Sequence, residues 1–221
     1  KIFTDVSDSS GIKKEFINPN WKRIKVHVSD FCFETGKAAL CQADIRLERQ
    51  KKIAFVGESG SGKSTLLKIL RGIYQAEYGF IFADDEKQKQ QITSLMDITT
   101  LIPQEPEMFD HSLLYNIVMG LEYTEEELQQ AIYLSGLDEV LPKLPNGIYS
   151  QISEDGVNLS GGEKQRLALA RGIFSIKDSS IVLLDEPTAS LDAETELKVY
   201  QRIFGKFTDK CIISVLHRLH L

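Results

Sequence analysis

The chain has 221 residues, 42% of them hydrophobic, and a formal net charge of −6. That length builds one large domain or two small ones around a sizeable core. The acidic balance argues against a general binder of nucleic-acid backbones, so no nucleic-acid partner is expected. No apolar run reaches membrane-spanning length, and no secretory leader is visible. Cys32, Cys41 and Cys211 form neither a CxxC pair nor a zinc spacing. They read as three small buried side chains in a reducing compartment. The chain stops at Leu221 without a closing helix, as a piece with a truncated C-terminal end would. A membrane partner therefore stays open.

Residues 1–20 are polar and weakly patterned, and read as a linker or strap. Arg23–Phe33 partly alternates and reads as strands. Ala43–Gly57 holds an alternating strand, a basic turn and the apolar run Ile53–Val56. Short strands with turns predict an antiparallel patch first. A glycine-rich loop then leads into a helix over Ser64–Tyr74. The stretch GFIFADDEKQ predicts a strand and turn. Helical patterns follow over Leu113–Met119, Thr124–Ser135 and Gly162–Phe174. The continuous apolar run of SIVLLDE predicts a buried strand. A helix over Ala193–Phe207 and the strand CIISVLH close the chain. Strand–helix–strand order at both ends predicts an α/β fold with a parallel sheet, the middle helices forming a lobe of their own.

Three stretches carry chemistry. GESGSGKST, Gly57–Thr65, matches G-x-x-x-x-G-K-[ST] between a strand and a helix. Its glycines let backbone N–H groups converge on phosphate oxygens. Lys63 supplies charge, Ser64 offers a hydroxyl to magnesium, and the helix start adds a positive dipole end. IVLLDEPTASLD ends a buried strand with Asp185 and Glu186, and ligands of open α/β sheets sit at such ends. Asp185 is placed to hold magnesium through water, and Glu186 to polarise an attacking water. In LSGGEKQR, Ser160 and Glu163 fit a capping box. Gly161 and Gly162 then fill the first helical turn, where they cost stability relative to alanine. A bare helix start that approaches a phosphate would explain them.

These motifs together resemble the nucleotide-binding domain of an ABC transporter. GESGSGKST looks like Walker A, LSGGEKQR like the signature, IVLLDEP like Walker B, and SLD (Ser190–Asp192) like the D-loop. LIPQEPEMF resembles the Q-loop with Gln104, and His217 resembles the switch histidine. The resemblance runs from about Phe33 to His217. It implies a P-loop NTPase core with a mostly parallel sheet, an N-terminal antiparallel β subdomain, and an inserted α-helical subdomain over about residues 105–175. The whole domain would span 21–221, with 1–20 as the strap from a preceding membrane region.

The same resemblance implies ATP and Mg2+ as cofactors. ATP would touch Phe33, Gly57, Glu58, Ser59, Gly60, Ser61, Gly62, Lys63, Ser64 and Thr65. Ser160, Gly161, Gly162 and Glu163 would reach it from a second copy. Ser64, Gln104 and Asp185 would hold magnesium. Glu186, His217, Gln104 and Lys63 would be catalytic. Phe33 stands near the family's adenine-stacking aromatic, with Trp21 as the other aromatic weighed. Two departures stand out: Glu154-Asp155-Gly156 where the family shows glutamate, arginine and glycine, and His220 where it shows serine.

PQEPEMFDHSLLYNIVMG resembles exporter-type domains. That implies a homodimer or heterodimer of nucleotide-binding domains, joined to a transmembrane domain at the cytoplasmic face of a membrane, the bacterial inner or plasma membrane. ATP-driven dimerisation would power substrate translocation. Three rival readings fit less well. ABC ATPases of DNA repair carry a long coiled coil between Walker A and the signature, which is missing here. Translation-type ABC proteins normally have two such domains and a basic linker. A P-loop kinase or GTPase would leave LSGGE as a simple capped helix.

Overall fold

A computed structural model of the chain describes residues 16–32, 38–76, 78–84, 90–104, 107–153 and 157–216. An antiparallel sheet comes first. It orders β4 (Ala43–Glu48), β1 (Arg23–Val28), β6 (Gly79–Ala83) and β7 (Gln90–Gln91) side by side. In β1 the inward residues Ile24, Val26 and Val28 are buried while Arg23 and Lys25 face water, the alternation of a sheet with one covered face. A short ribbon pairs β2 (Phe31–Cys32) with β3 (Ala38–Leu40).

The second sheet is parallel and orders β5 (Lys52–Phe55), β10 (Cys211–Val215), β9 (Ile181–Asp185) and β8 (Thr99–Ile102). Every residue of β9 and β10 is buried, as strands covered on both faces must be. The sequence reading missed β8, because Thr99–Ile102 is only four residues long and half polar. It pairs with β9 all the same.

Among the described residues five α-helices complete the fold: α1 (Lys63–Leu70), α2 (Leu113–Val118), α3 (Glu125–Ser135), α4 (Gly161–Phe174) and α5 (Ala193–Lys206). Helix α1 stops four residues earlier than its sequence pattern, at the turn Arg71–Gly72. Four of these helices have side-chain caps. Ser112, Thr124, Ser160 and Asp192 each accept a bond from a backbone N–H of the first turn. Helix α1 has none; its N-cap is Gly62.

Helix α4 joins two cores. Leu167 and Ala170 pack with α2 and α3, whereas Leu169 and Ile173 pack with the parallel sheet. Asn116 of α2 is fully buried and ties this junction together. Its carboxamide oxygen accepts from Phe109 N at 2.9 Å and from Arg171 Nη2 at 2.8 Å. Its amide nitrogen donates to the carbonyls of Phe109 and Ser112. Asn116→Leu keeps the volume and takes the side-chain acceptor from Phe109 N and Arg171 Nη2. It is expected to cost roughly 2–3 kcal/mol, read as a lower urea midpoint at unchanged slope.

The cysteines depart from the expectation. Cys211 is buried, and burial pushes its thiol up to about 11, but Cys32 and Cys41 are exposed. Phe31 and Leu40 pair across the ribbon and pack on the core. The two-residue alternation of strands then turns the neighbouring Cys32 and Cys41 outward. Trp21 is 1% exposed and donates from Nε1 to Ser180 Oγ at 2.8 Å. A ring held in the core cannot stack on a base at the surface, so Trp21 drops out as an adenine partner.

Candidate active site

The parallel register brings four chain segments to one edge. Phe55 stands beside Val215, Val215 beside Asp185, and Leu184 beside Ile102. The loops after β5, β9 and β8 therefore leave the sheet together, at the carboxyl ends where α/β folds bind ligands.

After β5, residues 57–61 are exposed and 62–65 half-buried as the loop enters α1. Lys63 Nζ curls back over this loop. It donates to the carbonyls of Gly57 and Glu58 at 2.9 and 2.7 Å and to Ser61 Oγ at 3.2 Å. Gly62 must be glycine on two counts. Its φ is 89°, and a Cβ there would lie 2.5 Å from the Ala39 carbonyl oxygen. This residue also starts α1, so the helix dipole and its uncapped N–H groups open onto the loop, the arrangement that takes a phosphate.

At the end of β9, Asp185 is 2% exposed and accepts a 2.7 Å bond from Ser64 Oγ. Glu186 follows with φ 49°, a left-handed conformation that breaks the strand and starts a turn. Its Oε2 accepts a 3.3 Å bond from Gln104 Nε2, just beyond β8. Ser64, Asp185, Glu186 and Gln104 thus form one oxygen-rich cluster beside the phosphate loop. Hydroxyl, carboxylate and carboxamide oxygens suit magnesium, which prefers hard ligands and keeps several waters.

Ser160 and Glu163 form the expected capping box at the start of α4. Ser160 N and Oγ donate to Glu163 Oε2 at 2.8 and 2.9 Å, and Glu163 N donates back to Ser160 Oγ at 3.4 Å. The backbone N–H of Ser160, then its hydroxyl, holds the Glu163 carboxyl below its ordinary value. The cap is therefore complete above that ordinary value and is lost as pH falls through the depressed one.

The two glycines divide in role. A Cβ on Gly162 would sit 3.3 Å from Leu191 Cδ2 and from the Ser190 carbonyl oxygen, so the turn before α5 favours a small residue there. That in-chain reason was not visible in the sequence. A Cβ on Gly161 would meet Ser190 only at ordinary distance, 3.7 Å or more. Ser160 and Gly161 are exposed.

Phe33, His217 and His220, and the segment 154–156, lie outside the described residues. The sequence reading also missed Gln165, whose Oε1 accepts a 2.7 Å bond from Ser190 N. Its signal was a polar residue on the buried stripe of α4, four before Leu169. Among the described residues no helix is long and apolar enough to cross a membrane.

Comparison with known proteins agrees with this fold. Residues 40–189 match the family model described as "ABC transporter". The rat "Iron-sulfur clusters transporter ABCB7, mitochondrial" is 32% identical over 221 residues, covering 99% of this chain and 29% of that protein. The "Heavy metal tolerance protein" of Schizosaccharomyces pombe is 36% identical over 200 residues, covering 90% of this chain and 24% of that one. The chain thus spans less than a third of either relative. Among solved structures, a bacterial Atm1-family ABC exporter with ATP bound aligns with a TM-score of 0.79 and 29% identity. That match covers 92% of this chain and 36% of the other.

Proposed function

Because the chain belongs to the ABC transporter family, we propose that it is the ATP-binding and ATP-hydrolysing domain of an exporter, acting as one of two copies that share each ATP. The observation that carries this reading is the bare start of α4. Ser160 and Gly161 stand exposed, and among the described residues a Cβ at 161 would meet only Ser190, at ordinary contact distance. In a two-fold pair, surface i of one copy meets j of the other, and j meets i. The phosphate loop of one copy then faces the α4 start of its partner, with ATP between them.

The residues divide the work by chemistry. Backbone N–H groups of 57–65 and the Lys63 ammonium take the phosphates, with Phe33 against the adenine ring. Ser64, Asp185 and Gln104 would hold magnesium, whose charge would offset that of the terminal phosphate oxygens. Glu186 takes a proton from the attacking water, and Gln104 and His217 orient that water and the γ-phosphate. Ser160 and the N–H groups of Gly161, Gly162 and Glu163 close the site from the partner. Dimer closure on ATP and release after hydrolysis drive a transmembrane domain, on the cytoplasmic side of a membrane. The domain comprises residues 21–221, with 105–175 as the helical part that meets the membrane region and 1–20 as the strap.

A shared site makes turnover depend on encounter between copies. Specific ATPase activity of the isolated domain is expected to rise with protein concentration and then level off. Activity that is flat across the range would point to a site completed within one chain.

A further inference from the structure

The turn that follows Glu186 is short and internally bonded. Ala189 N donates to the Glu186 carbonyl at 3.2 Å, and Leu191 N to the Thr188 carbonyl at 2.9 Å. Thr188 Oγ1 donates to the buried Glu196 of α5 at 2.7 Å, and Asp192 caps α5. The amide of Ser190 points the other way, to Gln165 Oε1 on α4 at 2.7 Å. Gln165 is 7% exposed, and Leu191 beside it is 6% exposed. Gly162 supplies a second, independent seat, because a Cβ there would lie 3.3 Å from the Ser190 carbonyl oxygen and press the turn away by a few tenths of an ångström.

One subunit therefore carries two half-sites on one connected piece. Glu186 begins the turn, and Gln165 lies on the same helix as Ser160, little more than one helical turn further on. We infer that Gln165 is a positioning residue that ties the Glu186 turn, which serves a subunit's own ATP, to the start of α4, which serves its partner's. The inference rests on the shared-site reading above. Gln165 touches no ATP in this scheme. It acts by holding the Ser190 amide, so that the base and the signature helix keep one relative position. Without that acceptor the amide must find water, and the turn is free to shift against α4.

The test uses the full-length protein that carries this sequence, with Gln165→Met and Gln165→Glu. Methionine fills the space without an oxygen acceptor. Glutamate keeps an oxygen that accepts the Ser190 N–H, so it guards against a simple packing defect. The kcat of Gln165→Met is expected to fall about tenfold, with ATP affinity of the phosphate loop changed less than about twofold. Gln165→Glu is expected to keep at least about half of wild-type turnover.

A differently tagged mixed dimer with one Gln165→Met subunit gives the decisive readout. Each Gln165 bears on both sites, so turnover is expected well below half of wild type. A residue serving one site would leave half or more, and that result overturns the proposal. So does wild-type turnover in Gln165→Met, or loss in Gln165→Glu equal to that in Gln165→Met. Ser160→Arg run alongside separates the two levels. If it still hydrolyses ATP at the wild-type rate, the shared-site reading fails. If it is silent while Gln165→Met is normal, only the tie fails.

Discussion

Glu186→Gln is expected to lower ATP turnover by about 10²–10⁴-fold while leaving ATP binding intact. On the proposed reading, the change removes the base and little else. Glutamine has the same size, can keep the left-handed turn start at φ 49°, and retains an oxygen for the Gln104 amide, which lies 3.3 Å from Glu186 in the native chain. The binding groups, Lys63 and the loop around Gly62, are untouched. ATP should therefore bring two copies together without releasing them, and size-exclusion chromatography with ATP should show a stable dimer. Near-normal hydrolysis would remove Glu186 from the role of base.

Ser160→Arg is expected to abolish hydrolysis while sparing ATP binding to the same chain. Ser160 caps α4 through Glu163, so the substitution also loses a cap worth about 1 kcal/mol, too little to unfold a domain. Its larger effect is steric: a long side chain fills the helix start where the shared-site reading puts the γ-phosphate. ATP binding at low protein concentration and steady-state turnover separate the two effects. Unchanged turnover would sink the shared site.

Combining the two dead variants makes a sharper test. In a mixed dimer, the Ser160→Arg chain supplies a working phosphate loop and Glu186, and the Glu186→Gln chain supplies a working α4 start. One of the two sites is then whole. Equal mixing is expected to restore roughly a quarter of wild-type activity if the sites act independently, since half the dimers carry one good site. Two silent proteins that stay silent together would argue that a site is not built across copies.

Much of the element order could be read locally. The continuous apolar run of SIVLLDE became β9, and Leu113–Met119 and Thr124–Ser135 became α2 and α3 within a residue. Alternation identified β1 and β4, because one covered face imposes a period of two. The phosphate loop was legible because its chemistry depends on spacing within nine residues. Strand β8 was not legible, since four residues leave no period to detect. Exposure of Cys32 and Cys41 was also hidden, because it depends on which side of a two-stranded ribbon meets the core.

By itself, then, the sequence determined most of the elements, the phosphate loop, the cap at Ser160, and the family. All of these rest on residues a few positions apart, where helix and strand periods act directly. Only the tertiary structure decided the site as an arrangement. Ser64 meets Asp185 across 121 residues, and Gln104 meets Glu186 across 82. Those meetings follow from the strand order β5-β10-β9-β8, which is not the order of the chain. The same holds for Gly162, whose size is set by the turn at Ser190 and Leu191, and for Gln165, whose partner is the Ser190 amide. A local pattern can place a polar group on a helix face, but its partner is chosen by which strands lie side by side and in what register.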